Sequence, residues 1–132
     1  MSPTIKEGTI PFDVPAAGKP CKTWYKIVGD LSSPITPLVV VHGGPGLSHD
    51  YLITLSELNE RYGIPVIFYD QLGTARSTHL REKRGDESFW TEELFHNELN
   101  NLVEKLGLLE SEKGYDVLGH SWGGMMGYVQ FS

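Results

Sequence analysis

A serine near the carboxyl end of the chain lies in a glycine-rich pattern that is typical of a catalytic nucleophile. Ser121 is framed by Gly119 and Gly123 in the run Gly-His-Ser-Trp-Gly, and the run Tyr-Asp-Val-Leu at 115–118 before it predicts a buried strand. A sharp strand-to-helix turn presents such a hydroxyl at the edge of a sheet, and glycines remove the side chains that would collide there. The pattern alone fits equally a glycine-rich turn in which the serine only packs.

A second glycine-rich run supports the catalytic interpretation. Residues 42–46, His-Gly-Gly-Pro-Gly, follow the apolar run 38–41, which predicts a strand buried on both faces. Acyl transfer builds negative charge on an oxygen, and backbone N–H groups directed at that oxygen lower the barrier by about 3 kcal/mol. We expect the N–H of Gly44 or Gly43, with that of Trp122, to form this oxyanion hole. A phosphate-binding loop is disfavoured, since no Gly-Lys-Ser/Thr follows.

The elements that must position these residues alternate along the chain. Two opening strands over 4–12 and 22–28 predict an antiparallel hairpin. Three strand–helix units follow, with strands at 38–41, 65–69 and 115–118 and helices at 48–62, from Thr91 to about Leu106, and at 124–131. Gly63 is expected to stop the first helix and Thr91 to cap the second. The buried face predicted for the second helix consists of Phe95, Leu99, Leu102, Val103 and Leu106. Such alternation predicts an α/β fold with parallel strands, right-handed crossovers and helices on both faces of the sheet, within one domain spanning 1–132.

Three motifs together resemble the proline iminopeptidase family of serine α/β-hydrolases. They are residues 42–46, the run Asp-Gln-Leu-Gly-Thr-Ala-Arg-Ser at 70–77, and Gly-His-Ser-Trp-Gly-Gly at 119–124. The resemblance spans nearly the whole chain but only the N-terminal part of that family's fold, so it implies an α/β-hydrolase fold truncated after the nucleophile turn. It also implies that Ser121 is the nucleophile and that Gly44 and Trp122 supply the oxyanion N–H groups.

The same resemblance implies a substrate class. Members of the family release an N-terminal residue, often proline, from peptides or from amino-acid amides and arylamides, and it implies no metal or other cofactor. Two departures concern the run 70–77, which in the family reads Asp-Gln-Arg-Gly-x-Gly-x-Ser. Leu72 stands here for the arginine and Ala75 for the second glycine, which puts the shape of this loop and the preference for proline in doubt.

The residues that would activate Ser121 are expected elsewhere. In this fold the acid and the histidine follow the nucleophile in chain order, and the sequence ends at Ser132. We therefore expect the 132 residues alone to be inactive, with the strand at 115–118 left as an exposed apolar edge that favours aggregation or dimerisation. An esterase-like hydrolase, and a non-catalytic truncated product or pseudoenzyme, are the alternatives.

None of the five histidines is predicted to relay protons for Ser121. His42 is expected to pack beneath the glycine-rich run, and His120 to point away from the serine. The other three, His49, His79 and His96, are expected at the surface.

Composition and charge restrict the partners. The chain is 39% hydrophobic and 21% charged, as in an ordinary globular protein. A net charge of -6 without a basic stripe argues against nucleic acid or an anionic membrane as partner and leaves a small peptide or amino-acid amide. The single Cys21 can form no internal disulfide, and no zinc-like spacing of ligands is present. The first residues lack the apolar core of a signal peptide, so the cytoplasm is the expected location.

Overall fold

A five-stranded mixed sheet forms the centre of the computed structural model, which describes residues 4–43, 48–121 and 123. Its strands, in the spatial order β1-β2-β4-β3-β5, are β1 (Ile5–Phe12), β2 (Cys21–Val28), β3 (Leu38–Val41), β4 (Val66–Asp70) and β5 (Asp116–Gly119). β1 pairs with β2 and β2 with β4 in antiparallel fashion, whereas β3 pairs in parallel with both β4 and β5. The predicted hairpin and the predicted parallel strands are confirmed.

The parallel part of the sheet determines where the candidate site lies. β3 and β4 read as unbroken apolar runs because both of their faces are covered, and Val39, Val40 and Val41 have no exposed surface. In the parallel register Val41 pairs with Gly119. The chain therefore leaves β3 towards Gly43 and leaves β5 towards Ser121 at the same edge of the sheet.

The helix α2 (Glu92–Lys105) covers one face of the sheet. It begins where Thr91 Oγ1 accepts a hydrogen bond of 3.1 Å from the N–H of Leu94, as the N-cap prediction requires. Its apolar side packs into one cluster with strand residues from β1 to β4, through Phe95, Leu99, Leu102 and Val103. The buried face predicted for this helix is thus confirmed, except that Leu106 is only partly buried.

The opposite face is covered by two short helices in sequence. A 3-10 helix over His49–Ser56 leads into α1 (Glu57–Tyr62), which ends at Gly63 in a left-handed conformation with φ 72°. The prediction of one amphipathic α-helix over 48–62 is therefore wrong in its first half. Asp70 accepts hydrogen bonds from both the backbone N–H and the ring of His49. This contact fixes the first residue of the 3-10 helix and therefore the conformation of its first turn. The helix predicted at 124–131 lies outside the described residues.

The loop after β4 is pinned to the neighbouring strand β2. Ser77 Oγ accepts a hydrogen bond of 2.9 Å from the N–H of Trp24, and the N–H of Thr78 donates to the carbonyl of Lys22 at 3.0 Å. Within the loop Ala75 has φ 42°, a left-handed conformation that favours glycine. The glycine expected here from the family pattern would adopt this backbone without strain.

Replacing Ala75 with glycine should stabilise the protein by about 1 kcal/mol, because it removes left-handed strain that outweighs the added flexibility of the unfolded chain. The measurement is thermal or denaturant unfolding of the full-length protein. Ala16→Gly is the matched control, since Ala16 is exposed within a 3-10 helix and glycine there should destabilise. An Ala75→Gly variant that is destabilised as much as the control would contradict the strain.

Candidate functional site

Ser121 lies just beyond the end of β5 in a strained turn. Its φ is 56°, the left-handed region that serine seldom adopts, and its side chain is exposed. The preceding residue, His120, donates its N–H to the carbonyl of Val41 at 3.1 Å and accepts a hydrogen bond of 2.9 Å from the N–H of Gly123. A left-handed residue presented at the end of a strand is the geometry that a nucleophile turn requires.

Two glycines allow the backbones around Ser121 to approach each other closely. A Cβ added to Gly123 would lie 2.0 Å from the carbonyl oxygen of Val41 and 2.7 Å from that of His42. One added to Gly43 would lie 2.8 Å from the hydroxyl of Tyr51. The glycines thus bring the turn that carries Ser121 against the end of β3.

Tyr51 joins the two glycine-rich segments. Its hydroxyl accepts the hydrogen bond donated by the N–H of Gly43 and lies 3.0 Å from His120 Nδ1. The His120 ring therefore contacts Tyr51, edge-on, with 5.3 Å between the ring centroids. The N–H of Gly43, one of the two predicted oxyanion donors, is therefore engaged by Tyr51. Gly44 and Trp122 lie outside the described residues.

His42 is buried and held through both ring nitrogens, as expected of a packing residue. Its Nε2 accepts a hydrogen bond of 3.0 Å from the backbone N–H of Gln71, so the proton is on Nδ1, which donates to the carbonyl of Gly43 at 2.7 Å. The Gln71 side chain donates in turn to the carbonyl of His42 at 3.0 Å. Burial lowers the pKa of His42, and with both ring nitrogens engaged it is no base for Ser121.

His49 is buried, so the prediction that it lies at the surface is wrong. Its backbone N–H and its Nδ1 lie 3.0 and 2.8 Å from Asp70 Oδ1, and its ring stacks near Trp24. Burial raises the pKa of the Asp70 carboxyl, but the hydrogen bonds from His49 and from the backbone of Arg76 outweigh it and keep that pKa below its usual value. Asp70 is therefore ionised and anchors His49.

Consecutive residues at the end of β4 thus hold both ends of one segment. Gln71 fixes His42, and Asp70 fixes His49, so the ends of the glycine-rich segment (residues 42–49) are joined to a single support. Among the described residues, the Gln71 Oε1 atom is buried and has no hydrogen-bond partner. The sequence singled out Asp70 and Gln71 only as the start of the run 70–77, because this role depends on contacts between residues far apart in the chain.

Glu98 is a buried carboxyl that sequence analysis also missed. It lies on the packed side of α2 with no exposed surface, where its Oε2 accepts from the Thr23 hydroxyl at 2.5 Å. Its two oxygens lie 2.9 and 3.0 Å from the backbone N of Leu72. Burial raises the pKa of Glu98 to about 7, against the opposing effect of these hydrogen bonds. One signal was available, because Glu98 interrupts an otherwise apolar helix face.

The described residues offer neither a metal site nor a membrane-spanning helix. Residues 4–43, 48–121 and 123 contain no group of three or more His, Cys, Asp or Glu side chains placed to hold a metal ion. No helix in this part of the chain is long and apolar enough to cross a membrane.

Comparison with known proteins identifies the fold family. The family model described as alpha/beta hydrolase fold matches residues 36–129. A curated proline iminopeptidase of Levilactobacillus brevis is 37% identical over 125 residues, which cover 95% of this chain and 37% of the relative. One from Lactiplantibacillus plantarum is 40% identical over 108 residues, covering 82% of this chain and 35% of the relative.

Solved structures agree with these sequence matches. The crystal structure of VinJ is 48% identical with a TM-score of 0.83, and the match covers 95% of this chain and 38% of VinJ. The proline iminopeptidase of Mycobacterium smegmatis is 36% identical with a TM-score of 0.78, over 95% of this chain and 38% of that one.

The chain therefore belongs to the α/β-hydrolase family. The resemblance of its three motifs to proline iminopeptidases is confirmed by both kinds of comparison, which support an enzyme by family resemblance. The chain spans about 37% of the length of the Levilactobacillus brevis relative.

Proposed function

We propose that the protein containing this chain is a serine hydrolase of the proline iminopeptidase type, which releases proline or a similar N-terminal residue from small peptides or amino-acid amides. The observation that carries the proposal is the left-handed Ser121 at the edge where β3 and β5 end side by side. The identity to curated proline iminopeptidases supports the substrate class.

In the proposed reaction the Ser121 hydroxyl oxygen attacks the carbonyl carbon of the N-terminal residue while its proton passes to a histidine. The carbonyl oxygen becomes an oxyanion, held by the N–H groups of Gly44 and Trp122. The carbon–nitrogen bond then breaks, and the amine leaves with the proton from that histidine. Water hydrolyses the resulting ester of Ser121 in the same way. We assign the histidine and its acid to the part of the relatives' length that this chain does not span, since both follow the serine in chain order.

The chain is proposed to form the N-terminal portion of one domain, because strands from both ends of its sheet share one hydrophobic cluster with α2. A cytoplasmic location is part of the proposal, supported by a single cysteine, which is buried as a free thiol. The net charge of -6 supports a small-molecule substrate over nucleic acid or an anionic membrane.

The test compares three chromogenic substrates with the full-length protein: proline p-nitroanilide, its N-acetylated form, and p-nitrophenyl acetate. We expect the free-amine anilide to be cleaved and the N-acetylated one to be spared, because the enzyme type recognises the free N-terminus. Preference for the acetate ester would favour the esterase alternative. No turnover of any of the three would favour the non-catalytic alternative. A fluorophosphonate probe should label Ser121 in the full-length protein and leave residues 1–132 alone unlabelled.

A further inference from the structure

Glu98 connects three separate elements of the fold. Its carboxyl accepts from Thr23 on β2 and from the N–H of Leu72 after β4, while its own backbone belongs to α2. Within the described residues no cation pairs with Glu98, and a buried carboxyl without such a partner is costly to retain for packing alone, whereas an apolar residue would fill the same helix face. The hydrogen bonds that it accepts therefore indicate a role for the charge.

Leu72 is one residue from the support of the glycine-rich segment. The N–H of Gln71 donates to His42 Nε2, and the next N–H along the chain, that of Leu72, donates to Glu98. These successive peptide groups are fixed from two sides, by His42 and by Glu98. The bond to Glu98 thus restrains the peptide unit that links Leu72 to Gln71.

We propose that Glu98 is a positioning residue for the oxyanion hole, acting through Leu72 and Gln71 on His42 and hence on the glycine-rich segment. The inference rests on the proposed function, because that function requires donors in this segment to be held in place before substrate binds. As a carboxylate, Glu98 forms a charge-assisted bond to Leu72, and protonation weakens that bond. The positioning is thus strongest when Glu98 is ionised.

The ionisable groups near Glu98 keep their protonation state near neutral pH, whereas Glu98 changes its own. Asp70 and Tyr69 of β4, and Cys21 at the start of β2, are the ionisable groups that interact electrostatically with Glu98 in the described residues. Burial raises the pKa of Tyr69 and of Cys21, so both stay protonated near neutrality, whereas the lowered pKa of Asp70 keeps it ionised. With the pKa of Glu98 at about 7, its charge changes between roughly pH 6 and 8.

Activity should separate positioning from general damage. In the full-length protein, Glu98→Ala is expected to lower kcat on proline p-nitroanilide by about 10- to 100-fold with little change in KM, since the loss falls on the transition state. Glu98→Gln keeps the hydrogen-bonding shape without the charge and should recover only part of that loss. Glu104→Gln, at an exposed position of the same helix, is the matched control and should behave as the wild type. Unchanged kcat in Glu98→Ala would overturn the proposal.

A second measurement needs no substrate. It does not use Glu98→Ala, so it remains possible if that variant fails to fold. The ¹⁵N resonances of the His42 ring and of the Gln71 amide should shift with a midpoint near pH 7 in the wild type and lose that shift in Glu98→Gln. The same shift in both proteins would overturn the proposal. If the wild type shows the shift but cleaves no proline anilide, the proposed function fails and the coupling stands.

The pH dependence of the free energy of unfolding provides an independent test of the raised pKa of Glu98. An unfolded-chain glutamate releases its proton near its ordinary pKa of 4.5, whereas native Glu98 retains its proton up to about pH 7. Between these values the native state binds more protons, so stability falls as pH rises through the window and levels off above it. Compared with the wild type, Glu98→Gln should lack this part of the decline. An identical pH dependence in the two proteins would overturn the assignment of the charge.

Discussion

Gly123→Ala is expected to prevent correct folding around Ser121 or to destabilise the protein by more than about 3 kcal/mol. The added methyl carbon would lie 2.0 Å from the carbonyl oxygen of Val41, and both that atom and the carbonyl of His42 belong to the backbone. A backbone inside a sheet cannot move aside as a flexible side chain can. The measurement is denaturant unfolding of the full-length protein, together with its soluble yield.

The control for this prediction is a glycine whose substitution creates strain without a collision. Gly18 has φ 73°, and a Cβ added there meets no atom within 4 Å, so Gly18→Ala should cost only about 1 kcal/mol. If Gly123→Ala unfolds at the same denaturant concentration as Gly18→Ala, the close approach between the nucleophile turn and β3 is wrong.

Ser121→Ala is expected to reduce the turnover of proline p-nitroanilide by about 10³-fold or more, since it removes the proposed nucleophile and leaves only substrate binding and the oxyanion hole. Stability should change little, because alanine inherits the same left-handed backbone. Ser121→Gly should be equally inactive but more stable by about 1 kcal/mol, because φ 56° costs glycine nothing. The strain would then be retained for the reaction, as it is in other active sites.

The pair of variants separates the chemical role of Ser121 from its structural role. Kinetics with the anilide and denaturant unfolding are measured on the same preparations. Turnover within tenfold of the wild type in Ser121→Ala would exclude Ser121 as nucleophile. A Ser121→Gly variant that is less stable than Ser121→Ala would contradict the left-handed backbone.

Local pattern was enough to predict most of the fold. The apolar run at β3, the N-cap at Thr91 and the stop at Gly63 are each encoded within a few residues, and all three are found in the structure. The 3-10 helix over His49–Ser56 was missed because its first turn is fixed by Asp70, which is distant in sequence. Periodicity carries no information about such an anchor.

The candidate site was predictable in part for the same reason. Glycine-rich runs announce close backbone approach, so Gly43 and Gly123 were identified with Ser121 from their spacing. The buried side chains His49 and Glu98 were missed, because the sequence does not distinguish a buried polar residue from an exposed one until its hydrogen-bond partner is known. Only the interruption of an apolar helix face by Glu98 was visible in advance.

The two adjacent anchors at the end of β4, Asp70 and Gln71, allow the residues between His42 and His49 to be replaced by other sequences. Asp70 binds His49 and the adjacent Gln71 binds His42, so the distance between the two histidines is set by the end of β4 and not by the residues between them. The stretch between the two histidines is therefore a cassette of fixed span. Segments of equal length from other hydrolases could be grafted into it to alter the reacting surface while both anchors stay in place.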